Sequence, residues 1–278
     1  MSAARLALLP ILVGACASPA PAPAPALDAG LHDAAAPVAV VSAAMVALPG
    51  GNFILGALER QQGTDPVHVD PFSVDVTEVT VDAYRACVRA GACRPPAVRS
   101  VDALRAECNW DRPGRDRDPI NCVSFADAEA YCRWAGKRLP TDEEWEHAAR
   151  GVEGRNFPWK RGNGREDTAV TPSEWAMLLG HCHDEHHDGV GTCPVGRSPG
   201  TRTPEGVDDL GSNVAEWVVR WPNEAAEATR GGSWYTRSTN TFHGSRWGAS
   251  SVDKSLRADF IGFRCARSAP RPDGGGSP

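Results

Sequence analysis

A basic excess is missing from this chain: 29 Lys and Arg stand against 35 Asp and Glu, for a formal net charge of −6. Phosphate binding needs a basic face, so nucleic acid is excluded as a partner. A membrane-spanning run is missing too. The apolar stretch Leu6 to Val13 is too short to cross a bilayer, which disfavours a transmembrane helix. Long uninterrupted helical patterns are also scarce, because 28 glycines and 23 prolines punctuate the 278 residues. That composition suits a loop-rich fold with few long helices. With 41% hydrophobic residues the chain can bury one sizeable core, and a single domain of about 200 residues with tails fits better than two. The Arg and Asp residues that alternate from Asp111 to Asp118 mark a solvated loop.

Cysteine, by contrast, is plentiful, with nine residues to place. Arg5, the apolar run and Val13-Gly14-Ala15-Cys16 resemble a bacterial lipoprotein signal over residues 1–16, with Cys16 as the lipidated residue; cleavage near the same place without lipid is the alternative. Residues 17–44, opening on alternating Ala and Pro from Pro19 to Pro25, read as a semi-rigid tether with too little apolar surface to fold. The implied location is outside the cytoplasm, anchored to a membrane at the periplasmic face or the outer membrane. Ser18, behind Cys16, gives no inner-membrane retention signal and tilts the reading to the outer membrane. Without Cys16, eight cysteines remain, an even count that in an exported protein reads as four disulfides. Proximity in sequence pairs Cys87 with Cys93, Cys108 with Cys122, and Cys182 with Cys193.

Local structure is specified most densely from Cys122 to Gly151. Ser124 and Asp127 resemble a capping box, and Phe125, Ala128, Tyr131, Cys132 and Ala135 recur at helical spacing until Gly136. Leu139-Pro140 breaks the chain. Thr141 then caps a second helix with Glu144 in the reciprocal position, and Asp142, Glu143 and Glu144 place negative charge on its positive end. Trp145, Ala148 and Ala149 form its buried stripe, and Gly151 ends it. Earlier in the chain, Met45 to Gly56 reads as strand, glycine turn and strand. The stretches 67–72 and 72–80 alternate as half-buried strands, and Thr80 opens a helix over 81–90 that Gly91 closes.

Gly136-Lys137-Arg138-Leu139-Pro140-Thr141-Asp142-Glu143-Glu144-Trp145-Glu146 resembles the signature of the formylglycine-generating enzymes, the sulfatase-modifying factor family. Glu78-Val79-Thr80, Asn156 to Trp159, Gly211 to Trp217, Arg230 to Trp234 and Gly262-Phe263-Arg264-Cys265 agree with it in order and spacing. The resemblance runs over residues 45–268, leaving 269–278 as a disordered tail. It implies an α+β fold of the formylglycine-generating-enzyme type, a decorated C-type-lectin-like architecture of short antiparallel sheets and a few helices. It also implies a long-range bridge between Cys132 and Cys265, contributing about 4–5 kcal/mol on the chain-entropy model. Lys160 departs from the family's glycine after Phe157-Pro158-Trp159.

The resemblance further implies a structural calcium ion, on carbonyls of Gly211, Ser212 and Val214 and the carboxylate of Glu216, an all-oxygen set that suits a hard cation. Ser212 and Ala215 replace a family glycine and tryptophan there. In the family, two cysteines shortly after Arg-Gly-Gly-Ser bind copper and make oxygen chemistry possible. Here the two positions carry Thr236 and Thr241. Hydroxyls do not substitute for the soft sulfur that selects Cu(I), so copper is not expected. A second family disulfide is absent as a pair, with Ala149 and Arg246 at its positions.

Three functional readings stay open. The first is a recognition module that holds a peptide, glycan or protein in a cleft around Trp234, Arg237, Asn240, His243, Arg246 and Trp247, since aromatic and arginine side chains together favour contact surfaces. The second is an oxidoreductase of the same family with a different metal site, with His243, Tyr235 and Asp259 as candidate acid-base or metal groups. The third is an architectural lipoprotein without a small ligand. One local cluster, His181 to Asp188, offers His183 and His186 to zinc or copper, although neighbouring residues on a loop fix no tetrahedron. The stretch 160–205 otherwise reads as loop.

Overall fold

A computed structural model describes residues 43–56, 66–96, 108–155, 157–158, 183–184, 187–188, 191–197, 202–220, 227–234 and 250–270. Every described residue belongs to one compact unit, Ala39–Pro278. The signal segment, almost all of the tether and the tail from 271 onward lie outside the described residues.

The chain opens with β1 (Met45–Leu48) and β2 (Gly51–Phe53), followed by β3 (Val67–Val69) and β4 (Phe72–Asp75). β2 pairs with β3, while β4 is the centre of a three-stranded sheet between β1 and the last strand, β11 (Ala266–Ser268), antiparallel to both. Phe72 and Val74 are buried and Ser73 is half-buried, as the alternation predicts. The strand nevertheless stops at Asp75, short of the expected Thr80. Beyond it the backbone bonds to scattered partners, Val76 N–H to Ala44 and Val79 N–H to Phe263, and no ladder can continue.

Three helices follow the predicted caps. α1 (Val81–Arg89) is capped by Thr80, whose hydroxyl accepts from Ala83 N–H. α2 (Phe125–Trp134) and α3 (Asp142–Arg150) carry complete capping boxes, Ser124 with Asp127 and Thr141 with Glu144. Gly136 and Gly151, just past the last two, adopt positive φ of 68° and 64°, where a Cβ would be strained.

α3 corrects the sequence reading in one respect. The expected apolar stripe of Trp145, Ala148 and Ala149 is buried, but so are Asp142, Glu144, Glu146, His147 and Arg150. Burial of a charged helix face demands partners, and the chain supplies them. Arg230 donates to Asp142 and, at 3.2 Å, to Glu146; Arg150 donates to Glu146 at 2.6 Å; Arg138 grips Glu144 with two bonds of 2.6 Å.

The second main sheet has the order β10-β7-β8-β9, from β7 (Ala215–Val218), β8 (Glu227–Arg230), β9 (Ser250–Val252) and β10 (Ile261–Gly262). β10 runs parallel to β7 and the other pairs are antiparallel. One buried cluster, with Tyr84, Phe125, Tyr131, Trp217 and Phe263, fills the space around α1 and α2. A second, with Phe53, Phe72, Trp145, Leu210 and Val218, surrounds α3.

Within the stretch expected as loop, β5 (His183–Asp184) pairs with β6 (His187–Asp188), setting His183 opposite Asp188. Two-residue strands are too short to leave a period in the sequence. Disulfides join Cys87 to Cys93, Cys108 to Cys122 and Cys132 to Cys265, as expected. Cys193 is also disulfide-bonded; Cys182, its expected partner, lies outside the described residues.

Candidate functional site

The centre of the molecule is an ionic cluster made by three of the recognised motifs. Ile261 to Ala266 is buried at every position, which brings Arg264 into the interior with no exposed surface. A buried guanidinium must place five N–H donors. Nε donates to Glu216 Oε2 at 2.7 Å; Nη2 donates to Glu216 Oε1 at 2.7 Å and to the Asp208 carbonyl at 2.8 Å; Nη1 donates to the carbonyls of Asp75 and Val76, both at 3.0 Å. All five are used. Burial works against the charge on Arg264, but the Glu216 carboxylate outweighs it and pushes the pKa up.

Glu216 is satisfied in turn. Its Oε2 also accepts the indole Nε1–H of Trp145 at 2.8 Å, so both oxygens are engaged and the side chain is fully buried. The carboxylate expected on a calcium ion is therefore held in an ion pair. Gly211, Ser212 and Val214 sit on the turn just before β7, where Asp209 and Asn213 take positive φ of 63° and 61°.

Glu78 is different. It is wholly buried and neither carboxylate oxygen has a hydrogen-bond partner. Burial pushes its pKa well up, and the neighbouring charges of Asp209 and Glu216 add to the shift while Arg264 opposes it. The Ser212 hydroxyl in the adjacent turn is also buried and unpartnered. Among the described residues no group of three or more His, Cys, Asp and Glu is arranged to hold a metal.

The same core fixes the start of the segment carrying the other candidates. Arg230, bonded to α3 through Asp142 and Glu146, leads into Gly231, where φ is +85° and an added Cβ would lie 2.8 Å from the Leu210 carbonyl. Trp234 N–H donates to the Asn213 carbonyl at 2.8 Å, and its indole Nε1–H donates to the Asp259 carbonyl at 3.1 Å. Asn121 Nδ2 donates to that carbonyl as well, at 2.6 Å. Two of the candidates, Trp234 and Asp259, are thus brought together, through the backbone of Asp259. Tyr235, Thr236, Arg237, Asn240, Thr241, His243, Arg246 and Trp247 lie outside the described residues, as does His186; His183 lies on β5.

Sequence reasoning missed a groove of about 700 Å³ between β3, β11 and the start of α3, bordered by His68, Asp70, Arg138, Glu143 and Ser268. Its residues are scattered over three stretches with no shared motif, which left no local signal. Sequence reasoning also missed the partnership of Glu78 with the Arg264 cluster. The Glu-Val-Thr and Gly-Phe-Arg-Cys motifs were visible, and only their common position at the centre was not.

The sequence profile of the sulfatase-modifying factor enzyme 1-like domain matches residues 33–269. The chain belongs to the sulfatase-modifying factor family. It is 32% identical to an inactive C-alpha-formylglycine-generating enzyme 2 of Mus musculus, over 82% of this chain and 87% of that one. It is 30% identical to a formylglycine-generating enzyme of Streptomyces coelicolor, over 82% and 90% of the two chains. The structure of PvdO from Pseudomonas aeruginosa is similar at a TM-score of 0.56 and 25% identity, covering 81% of this chain and 94% of that one. Identity to inactive and active relatives of the sulfatase-modifying factor family is nearly equal. Overall similarity therefore does not decide activity, and the state of the cysteines in the structure is worth setting out.

Their inventory is short. Seven of the nine are disulfide-bonded: 87, 93, 108, 122, 132, 193 and 265. The partner of Cys193 must come from the remaining two, Cys16 and Cys182, so nine less seven less one leaves a single sulfur unassigned.

Proposed function

We propose that this chain is an exported, lipid-anchored recognition domain on the sulfatase-modifying factor scaffold and does not generate formylglycine by two-cysteine copper chemistry. The observation that carries the reading is the cysteine inventory. A two-thiolate copper site needs two free sulfurs, and a disulfide sulfur is no longer a thiolate. With seven of nine cysteines bonded and one more required by Cys193, one unassigned sulfur cannot form such a pair. No cysteine occurs between Gly232 and Arg264, and the positions that resemble the family's copper cysteines carry Thr236 and Thr241.

A peptide, glycan or protein partner is read at the segment Trp234, Arg237, Asn240, Arg246 and Trp247, with Trp234 anchored against Asp259 and Asn213. Arg and Trp combine planar hydrogen bonding with large apolar area, which suits contact surfaces. The lipid on Cys16 would hold this surface at the periplasmic or outer-membrane face.

The test is direct. Copper-loaded, non-reduced protein is incubated with a Cys-Xaa-Pro-Xaa-Arg peptide in air and the peptide is analysed by mass spectrometry. No aldehyde is expected. Formation of the aldehyde, or stoichiometric copper or iron in protein purified from the periplasm, overturns the reading.

A further inference from the structure

The groove beside α3 is lined by two strands that each keep an open edge. Arg138 and Ala266 exchange two backbone bonds, of 2.9 and 2.7 Å, on the side of β11 away from β4, while Ala269 N–H reaches the Pro71 carbonyl on the β4 side. Alternation along the strand therefore turns the N–H and C=O of Ser268 outward with those of Ala266. The bridge from Arg138 is isolated, and the Ser268 backbone has no partner among the described residues. β3 pairs with β2 alone. Ser268 and all three residues of β3 line the groove. Its charge is acidic. Arg138 is spent, gripping Glu144 with two bonds of 2.6 Å and donating to Ser268 Oγ at 3.1 and 2.9 Å. Glu143 has no ion-pair partner among the described residues, and Asp70, with a side chain 91% exposed, has the His68 ring alone at 3.4 Å. An anion would find the start of α3 closed, since Asp142 N–H goes to the Val219 carbonyl and Glu144 N–H to the Thr141 hydroxyl.

We propose that this groove docks an extended, basic segment of a partner protein by strand addition at Ser268, with a Lys or Arg side chain of the partner against Asp70 and Glu143. One residue of the added strand exchanges both backbone bonds with Ser268, as Arg138 does with Ala266. The backbone bonds bring affinity without regard to sequence. Selectivity comes from charge, because the two carboxylates left over in the groove favour a cationic side chain and repel an acidic one. The volume of about 700 Å³ lies in the range of formed ligand sites. This surface shares no residue with the segment from Trp234 to Trp247. No thiol enters it either, so it stands apart from the reading of the cysteines.

The probe is a fluorescein-labelled, end-capped peptide of alternating Val and Lys, titrated into full-chain protein and followed by anisotropy, beside the same peptide with Glu for Lys. The wild type is expected to bind the Lys peptide and to bind the Glu peptide at least about tenfold more weakly. Asp70→Asn combined with Glu143→Gln removes two exposed charges and should weaken the Lys peptide about tenfold. Ser268→Pro removes an N–H that the fold does not use and should weaken it about fivefold, while Ser268→Ala, which keeps that N–H, binds as the wild type does. No binding of the Lys peptide at millimolar concentration, or equal binding of the Glu peptide, overturns the proposal. Wild-type affinity in the acidic double variant or in Ser268→Pro, or lost binding in Ser268→Ala, overturns it equally. Should Ser268→Pro fail to fold, hydrogen exchange at the wild-type Ser268 amide takes its place: the peptide must slow it, and unchanged exchange overturns the proposal. Aldehyde formation in the copper assay would sink the reading of the cysteines and leave this result untouched.

Discussion

Replacing Arg264 with Met removes the guanidinium that grips Glu216 while keeping an unbranched apolar side chain in the same space. The Glu216–Arg264 pair is fully buried on both sides, and removing one partner of such a pair costs about 3–5 kcal/mol because the other charge stays behind. The carbonyls of Asp75, Val76 and Asp208 each lose a donor in the same step, at about 1 kcal/mol apiece. Against a total stability of about 5–15 kcal/mol, the variant should stand at the edge of unfolding. Urea denaturation followed by tryptophan fluorescence reads this well, because Trp145 and Trp217 are both buried beside the cluster. Glu216→Gln in the Arg264→Met background should cost much less than the two single losses added together, since it removes the stranded charge. A loss below about 1 kcal/mol for Arg264→Met, the range of an exposed pair, would refute the charge accounting at the core.

Two further expectations concern α3 and the long bridge. His147 is buried between the rings of Phe53 and Phe72, at 5.5 and 6.0 Å, with neither ring nitrogen hydrogen-bonded, and burial lowers its pKa. The unfolded chain therefore takes up this proton first: the stability it protects is present above about pH 6.5 and is lost as pH falls through that value towards the folded pKa. Glu78 and Asp75, whose pKa values are raised mainly by burial, act in the opposite sense and gain as pH falls, so the readout is the difference between wild type and His147→Leu. The variant should lose less stability than the wild type between neutral and mildly acid pH, and parallel pH curves would contradict this. Replacing both Cys132 and Cys265 with Ala opens a loop with a sequence separation of 133 and should cost about 5 kcal/mol on the chain-entropy model. An unchanged guanidinium midpoint would refute that assignment.

What could be read in the sequence was local. The boxes of Ser124 with Asp127 and Thr141 with Glu144 lie within one helical turn, and the Cys87–Cys93 and Cys108–Cys122 bridges join near neighbours. What could not be read was set by distant partners. The burial of the polar side of α3 left no local signal because Arg230, which pairs with Asp142 and Glu146, is 88 and 84 residues away in sequence. Glu78 looked like one letter of a motif because Asp209, Glu216 and Arg264 approach it only after the terminal strands close on β4. Strand length was overestimated after Asp75 because alternation continues where a ladder partner does not.

The claim that this chain cannot assemble two thiolates for copper is tested most directly by counting its free thiols. Non-reduced, full-chain protein is unfolded, alkylated with iodoacetamide, and analysed by intact mass and peptide mapping. The account predicts no more than one adduct, with Cys193 found in a disulfide-linked peptide. Two or more alkylated cysteines, or Cys193 recovered as a free thiol, would contradict it.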